Sequence, residues 1–169
     1  MKVVIIGNSG SGKTWLANEI SQSLSIPKVS LDDLFWQQGG YAQKRDVQEI
    51  NYLINESKKE PAWIVEGVFG ELAKEYLNIA DCLVWLDFGW HICKQRILNR
   101  VGENTKEPNG KQTKQSLNAL LQWAEQYYER QDLRSYYGHK KTFEFFSRSK
   151  THIQSENEIY KLIDKLVKK

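Results

Sequence analysis

Gly7-Asn8-Ser9-Gly10-Ser11-Gly12-Lys13-Thr14 decides the reading of this 169-residue chain. The octet satisfies GxxxxGK[ST] at every fixed position. Its glycines let the backbone turn so that N–H groups point inward around a phosphate. A helix starting directly behind the loop adds its positive dipole end. In a loop of this kind Lys13 reaches the β- and γ-phosphates of a nucleotide, and the Thr14 hydroxyl holds Mg²⁺. The flanks agree with the motif. Val3-Val4-Ile5-Ile6 is short, β-branched and apolar on both faces, which predicts a buried parallel strand. Leu16, Ala17, Ile20 and Leu24 recur at helical spacing, so a helix follows until Pro27.

The same alternation continues outward. Lys28 to Leu31 reads as a second strand, followed by Asp32 and Asp33. Asp46 and Glu49 form a capping box ahead of a stripe of Val47, Ile50, Leu53 and Ile54. Trp63-Ile64-Val65 is a third strand ending at Glu66-Gly67, and a short helix covers Glu71 to Leu77. Cys82 to Leu86 is a fourth strand ending at Asp87, and Trp90 to Arg100 is helical. Residues 101–116 are dominated by Gly, Pro, Asn, Lys, Gln and Thr. Such a stretch cannot build a core, so it is either disordered or a lid. A helix with Leu117, Leu120, Leu121 and Ala124 follows. Thr142 to Phe146 is the candidate fifth strand. Ser155 and Glu158 make a second capping box, opening a helix with Ile159, Leu162, Ile163, Leu166 and Val167 on one face. Strand and helix alternating in this way predict an α/β three-layer fold, with a parallel sheet of about five strands and helices on both faces. Residues 1–169 read as one domain. Ligands in such a fold sit at the carboxyl ends of the strands, expected at Gly7, Asp32, Glu66, Asp87 and Ser147.

Composition narrows the class. Apolar residues are 40% and charged residues 27%, the mix of a globular chain with a core rather than a disordered one. A net charge of +3 without a Lys/Arg run argues against nucleic acid as the main partner. Cys82 and Cys93 show no CxxC or Cys/His metal pattern and read as core thiols in a reducing compartment. No signal peptide or membrane span is visible, which places the expectation in the cytoplasm. An NKxD guanine-reading motif and a DxxG switch are both missing, so a GTPase is not expected.

Five segments then carry a resemblance: GNSGSGKT, LDDLFWQQGG, WIVEGVFG, CLVWLDF and QRILNR. Through about Arg100 the chain resembles the adenylate-kinase-related P-loop proteins called DNA topology modulation proteins (FlaR-like). More widely, it resembles nucleoside monophosphate, shikimate and gluconate kinases. The wider likeness implies phosphoryl transfer from ATP–Mg²⁺. Where the adenylate-kinase-related family usually shows Asp-Gly at the third strand end, this chain has Glu66-Gly67.

The resemblance also assigns roles. Asp32 would lie near Mg²⁺ and the acceptor, holding metal-bound water or taking a proton from a hydroxyl; otherwise it is a helix N-cap. Phe35 and Trp36 form either a stacking wall or core. Arg45 would grip an acceptor anion with its bidentate fork, and Gly67 would admit the substrate close to the backbone. Glu66 would join the Mg²⁺ network. Asp87 looks like a metal-binding acid, but in the similar kinases this strand leads to the lid. Arg96 and Arg100 share a helix face and would clamp phosphate in the closed state. Arg130 and Arg134 repeat that spacing as second-rank candidates. Arg148 is expected near adenine, and the three histidines are expected to be structural or superficial.

The resulting expectation is an ATP-dependent small-molecule kinase using Lys13, Asp32, Arg96 and Arg100. ATP and Mg²⁺ would sit on residues Gly7 to Thr14, with the acceptor over Asp32, Trp36, Arg45, Glu66 and Gly67. A nucleoside monophosphate is slightly favoured as acceptor by Trp36. The alternatives are an ATP-binding regulator with slow hydrolysis and a nucleic-acid-linked protein.

Overall fold

The computed structural model describes residues 1–37, 43–104 and 114–167. In chain order the elements are β1 (Lys2–Gly7), α1 (Lys13–Leu24), β2 (Lys28–Ser30), α2 (Leu31–Phe35), α3 (Val47–Lys58), β3 (Trp63–Gly67) and α4 (Gly70–Leu77). There follow β4 (Cys82–Leu86), α5 (Trp90–Asn104), α6 (Lys114–Glu125), a 3-10 turn at Gln126–Tyr128, α7 (Tyr136–Phe145), β5 (Ser149–Ile153) and α8 (Glu156–Val167). The strands form one parallel sheet in the order β2-β3-β1-β4-β5, so the strand feeding the glycine-rich loop is central.

Strand alternation divides the core into two layers. Val4 and Ile6 face one side with Val65, Leu83 and Trp85, packed against residues of α2, α3, α4 and α7. Val3 and Ile5 face the other with Ile64, Val84 and Leu86, packed against α1, α5 and α8. All four β1 residues from Val3 to Ile6 are fully buried, as a central parallel strand covered on both faces requires. The last helix starts as its capping box dictates: Glu158 accepts the backbone N–H of Ser155 at 2.9 Å and that of Gln154 at 2.8 Å. The box before α3 is half realised. Asp46 accepts from the Gln48 N–H at 2.8 Å, while Glu49 turns to Arg45 instead.

The fifth strand lies further along the chain than expected. Thr142 to Phe146 is not a strand; it ends α7 and supplies its C-cap. Ser135 caps that helix, its Oγ accepting from the Gly138 N–H at 3.2 Å. Gly138, His139 and Thr142 then recur on one buried face. The true strand, Ser-Lys-Thr-His-Ile, pairs with β4 alone and buries only its last residue fully, so it shows no apolar alternation. The stretch expected to be a lid, 101–116, falls largely on residues 105–113, outside the described residues. Its ends belong to α5 and α6. Among the described residues no helix is long and apolar enough to cross a membrane.

Candidate functional site

The loop after β1 is built by backbone conformations that side chains disfavour. Gly10 has φ +77°, and a Cβ there would lie 2.4 Å from the Cys93 carbonyl oxygen on α5. Gly12 has φ +98°, and a Cβ there would meet the Arg96 guanidinium at 3.5 Å, an ordinary contact. Gly12 is also the N-cap of α1. No side chain caps this helix, and its first turn carries no acid. Its leading N–H groups and its positive end are therefore left for an anion from the cavity side.

The loop is tied down from behind. Asn8 is buried; its Oδ1 accepts from the Ser9 N–H at 2.8 Å and its Nδ2 donates to the Ala124 carbonyl at 2.9 Å. Ser11 N–H donates to the Asn8 carbonyl at 3.2 Å. Ser11 is itself buried, and so is Gly7 at the strand end. These three support the cavity; Ser9, Gly10, Gly12, Lys13 and Thr14 line it.

That cavity has a volume of about 990 Å³. Lys13 enters it from the start of α1, with Nζ donating to the Asn8 carbonyl at 2.8 Å. Burial pushes its ammonium below the ordinary lysine range, and the Glu66 and Asp32 carboxylates oppose that shift. Register places the carboxylates: Ser30 pairs with Glu66 across β2 and β3, so Asp32, two residues on, opens α2 beside it. Glu66 is 2% exposed and accepts from the Thr14 hydroxyl at 3.2 Å. Burial raises the Asp32 carboxyl above the usual range, Lys13 lowers it, and Glu66 raises it again. Arg100 lines the same cavity, and its charge is felt at both Lys13 and Asp32.

Arg96 and Arg100 do different work. Arg96 donates to the Ser11 carbonyl at 2.9 Å and to Glu156 at 2.9 Å, and lies 4.6 Å over the Phe88 ring. It braces the loop against α5 and α8 while keeping one edge on the cavity. Trp36 lines the cavity, whereas Phe35 is core, stacked on Phe69 at 4.4 Å.

Four candidates lie elsewhere or act differently. Arg45 is spent on its own surroundings: it pairs with Glu49 and donates to the Asp33 and Trp36 carbonyls at 3.2 and 3.1 Å. Gly67 makes room for the protein rather than a substrate, since a Cβ there would lie 2.6 Å from the Leu31 Cβ. Arg148 precedes β5 instead of following it, so it lies at the opposite end of the strands. It donates to the Ala80 carbonyl at 2.7 Å and lines a separate groove with Lys74 and Lys141. Asp87 accepts from the Tyr128 hydroxyl, His152 Nε2 and Gln154 Nε2 at 3.0 to 3.2 Å, a set that locks β4 to β5.

Other residues enter the cavity, and of these only Arg134 was marked in the sequence as a site candidate. Ala119, Leu120 and Trp123 of α6 form a wall, facing Val68 and Phe69 beyond β3. Arg134 reaches in as well, its guanidinium 4.3 Å over the Phe69 ring and paired with Glu71. Arg130 instead lies 4.0 Å over Trp123 and pairs with Asp132. His139 is fully buried beneath this wall. Burial pushes its imidazole down to about 3, so it is neutral. Its Nε2–H donates to the Val68 carbonyl at 3.0 Å, and its Nδ1 accepts from the Tyr127 hydroxyl at 2.7 Å.

The residues fit nucleotide phosphates and a hard cation. An uncapped helix start, a buried lysine and Arg100 suit the anion. Among the described residues no group of three or more His, Cys, Asp or Glu is gathered for a metal. The oxygen set of Thr14, Asp32 and Glu66 suits Mg²⁺, which takes few protein ligands and keeps water and phosphate oxygens for the rest.

No protein family matches the chain, and no curated protein matches it. Solved structures do. A candidate kinase from Chloroflexus aurantiacus superposes with a TM-score of 0.57 at 14% identity, over 99% of this chain and 97% of that one. An uncharacterised protein from Eubacterium ventriosum gives 0.56 at 17% identity, over 99% and 98% of the two chains. TT1252 from Thermus thermophilus gives 0.55 at 14%, over 99% and 95%. At these identities the likeness is one of fold, and it spans the whole of this α/β chain.

Proposed function

We propose that this protein is a phosphotransferase of the small-molecule kinase type, moving the γ-phosphate of ATP to an acceptor bound in the same cavity. The observation that carries the reading is the uncapped, acid-free start of α1 opening on a cavity that also holds Lys13, Thr14, Asp32 and Glu66. The loop N–H groups and Lys13 would hold the phosphates, with Arg100 meeting charge that develops during transfer. Thr14, Asp32 and Glu66 would hold Mg²⁺, which when bound neutralises phosphate charge.

The acceptor would lie against Trp36, Val68, Phe69, Leu120 and Trp123, an apolar wall beside the two carboxylates. A hydroxyl acceptor would need a base, and Asp32, which lines the same cavity and feels the Lys13 charge, would supply it. A nucleoside monophosphate would need none. Catalysis on either acceptor would rest on positioning and charge neutralisation.

The test is ADP release from Mg²⁺–ATP across nucleoside monophosphates and small hydroxyl acceptors. One acceptor should raise turnover far above the acceptor-free rate, and Lys13→Ala should abolish it. A slow rate unchanged by every acceptor would favour an ATP-binding regulator instead.

A further inference from the structure

A groove between α4 and α7 shares no lining residue with the cavity already described. α7 turns Gly138, Lys141, Thr142 and Phe145 toward it, the i, i+3, i+4, i+7 face of one helix, and α4 contributes Lys74 and Leu77. Its volume is about 470 Å³, enough for a small molecule. Lys74, Lys141 and Arg148 line it, and among the described residues no acid does. The nearby carboxylates are engaged elsewhere: Glu75 pairs with Lys58 at 3.6 Å, Glu144 with Lys140 at 3.9 Å, and Glu71 with Arg134. Helix ends explain part of this charge, because C-terminal carbonyls attract cations. That suffices for Lys74, which lies in the last turn of α4. It does not suffice for Lys141, since the last carbonyls of α7, at Phe143 and Glu144, already accept from Lys150 Nζ at 2.9 and 3.0 Å. Arg148 gives one Nη to the Ala80 carbonyl at 2.7 Å and has other donors left.

The groove also holds a polar group without a partner. Thr142 is 7% exposed, and its hydroxyl makes no hydrogen bond among the described residues. A buried hydroxyl left in that state costs stability, so a native one calls for a partner. One helical turn on, Phe145 is 78% exposed, more than any other large apolar residue among those described. Cations, an orphaned hydroxyl and a bare ring in one groove match a molecule with a charged end and a flat one. We propose that this groove binds a small organic oxyanion, a carboxylate or phosphate monoester on a flat apolar body. Lys141 and Arg148 meet the charge, the Thr142 hydroxyl donates to it, and Phe145 covers the apolar part. The site does not depend on the phosphotransferase reading. It lies close to the cavity all the same: Leu133 lines the groove, and Arg134, next in the chain, lines the cavity.

Amide NMR titration of the full chain with phenyl phosphate and with benzoate tests it. Shifts are read residue by residue, so binding at Ser9 to Thr14 is seen separately. Inorganic phosphate supplies the charge without the body, and benzyl alcohol the body without the charge. At least one of the two probes should shift the amides of Lys141, Thr142, Phe145 and Arg148, and both controls should bind there about fivefold more weakly or worse. The tighter probe names the head group. Lys141→Glu, a surface change, should weaken that probe by about tenfold. Thr142→Val removes a hydroxyl that bonds to nothing in the fold, so it should leave stability intact and weaken the probe by about threefold or more. Shifts confined to the cavity, a control that binds the groove as tightly as the probes, or an affinity unchanged in either variant would overturn the site.

Discussion

The Asn8 carboxamide donates to the Ala124 carbonyl at 2.9 Å, joining the glycine-rich loop after β1 to α6 across 116 positions of sequence. The same side chain accepts from the Ser9 N–H, so one buried amide sets both the loop's first turn and its distance from the cavity wall that carries Leu120 and Trp123. Asn8→Ala should cost about 1–3 kcal/mol, because the Ala124 carbonyl and the Ser9 N–H both lose a buried partner. Urea unfolding measures the loss. ATP affinity should fall with it, since the loop is then held by fewer contacts.

Gly10 and Gly12 both have positive φ, but their surroundings differ. Gly10→Ala drives a Cβ to 2.4 Å from the Cys93 carbonyl and should destabilise by at least about 2 kcal/mol. Gly12→Ala meets only the Arg96 guanidinium, at an ordinary contact distance of 3.5 Å, so beyond the strain of its positive φ it should cost less stability than Gly10→Ala while disturbing the start of α1 and nucleotide binding. Thermal unfolding and ATP titration on the two variants separate these effects. Equal stability losses would contradict the packing described.

Arg100 and Arg148 lie on opposite sides of the account. Arg100→Ala should lower turnover by about 100-fold or more, with little change in stability, because it removes a cation from the cavity proposed for phosphoryl transfer. Arg148→Ala should leave turnover and the KM for ATP within about twofold, since it removes a bond to Ala80 that no substrate shares. Steady-state kinetics on both variants checks the contrast.

His139 gives the fold a pH dependence of known sign. Its folded value is about 3 against an ordinary value of 6.5, so the unfolded chain binds the extra proton between those limits. Its contribution to stability is complete above pH 6.5 and is lost as pH falls, at about 1.4 kcal/mol per pH unit. From pH 7 to pH 5 the wild type should therefore lose about 2 kcal/mol from this group. His139→Gln should show that much less pH dependence, although it is less stable at pH 7. Denaturant unfolding at the two pH values reads the difference.

The centre of this structure was legible in sequence because it obeys local rules. Val3 to Ile6 is apolar on both faces because both faces are covered, and Cys82 to Leu86 reads the same way for the same reason. The octet from Gly7 to Thr14 demands its own backbone, whatever surrounds it. The edge was not legible. The polar edge strand Ser149 to Ile153 has no period to read, while the Phe-rich end of α7 imitates a strand. The cavity walls escaped for another reason. Trp15, Phe69 and Trp123 come from three separate stretches and meet only through packing, so no spacing announces them, and the spacing that marked Arg130 with Arg134 did not say that Arg134 and not Arg130 lines the cavity. Gly67 was visible as a residue but not as a contact, because Leu31, which needs its space, lies 36 positions away.

The most direct test of the account follows the γ-phosphate itself. Phosphorus NMR on Mg²⁺–ATP with the wild-type chain and an acceptor from the panel should show the phosphate on the acceptor in step with ADP. Little inorganic phosphate should appear, and Lys13→Ala should produce no transfer. If the phosphate appears only as inorganic phosphate with every acceptor, or if Lys13→Ala transfers as well as the wild type, the phosphotransferase account is contradicted.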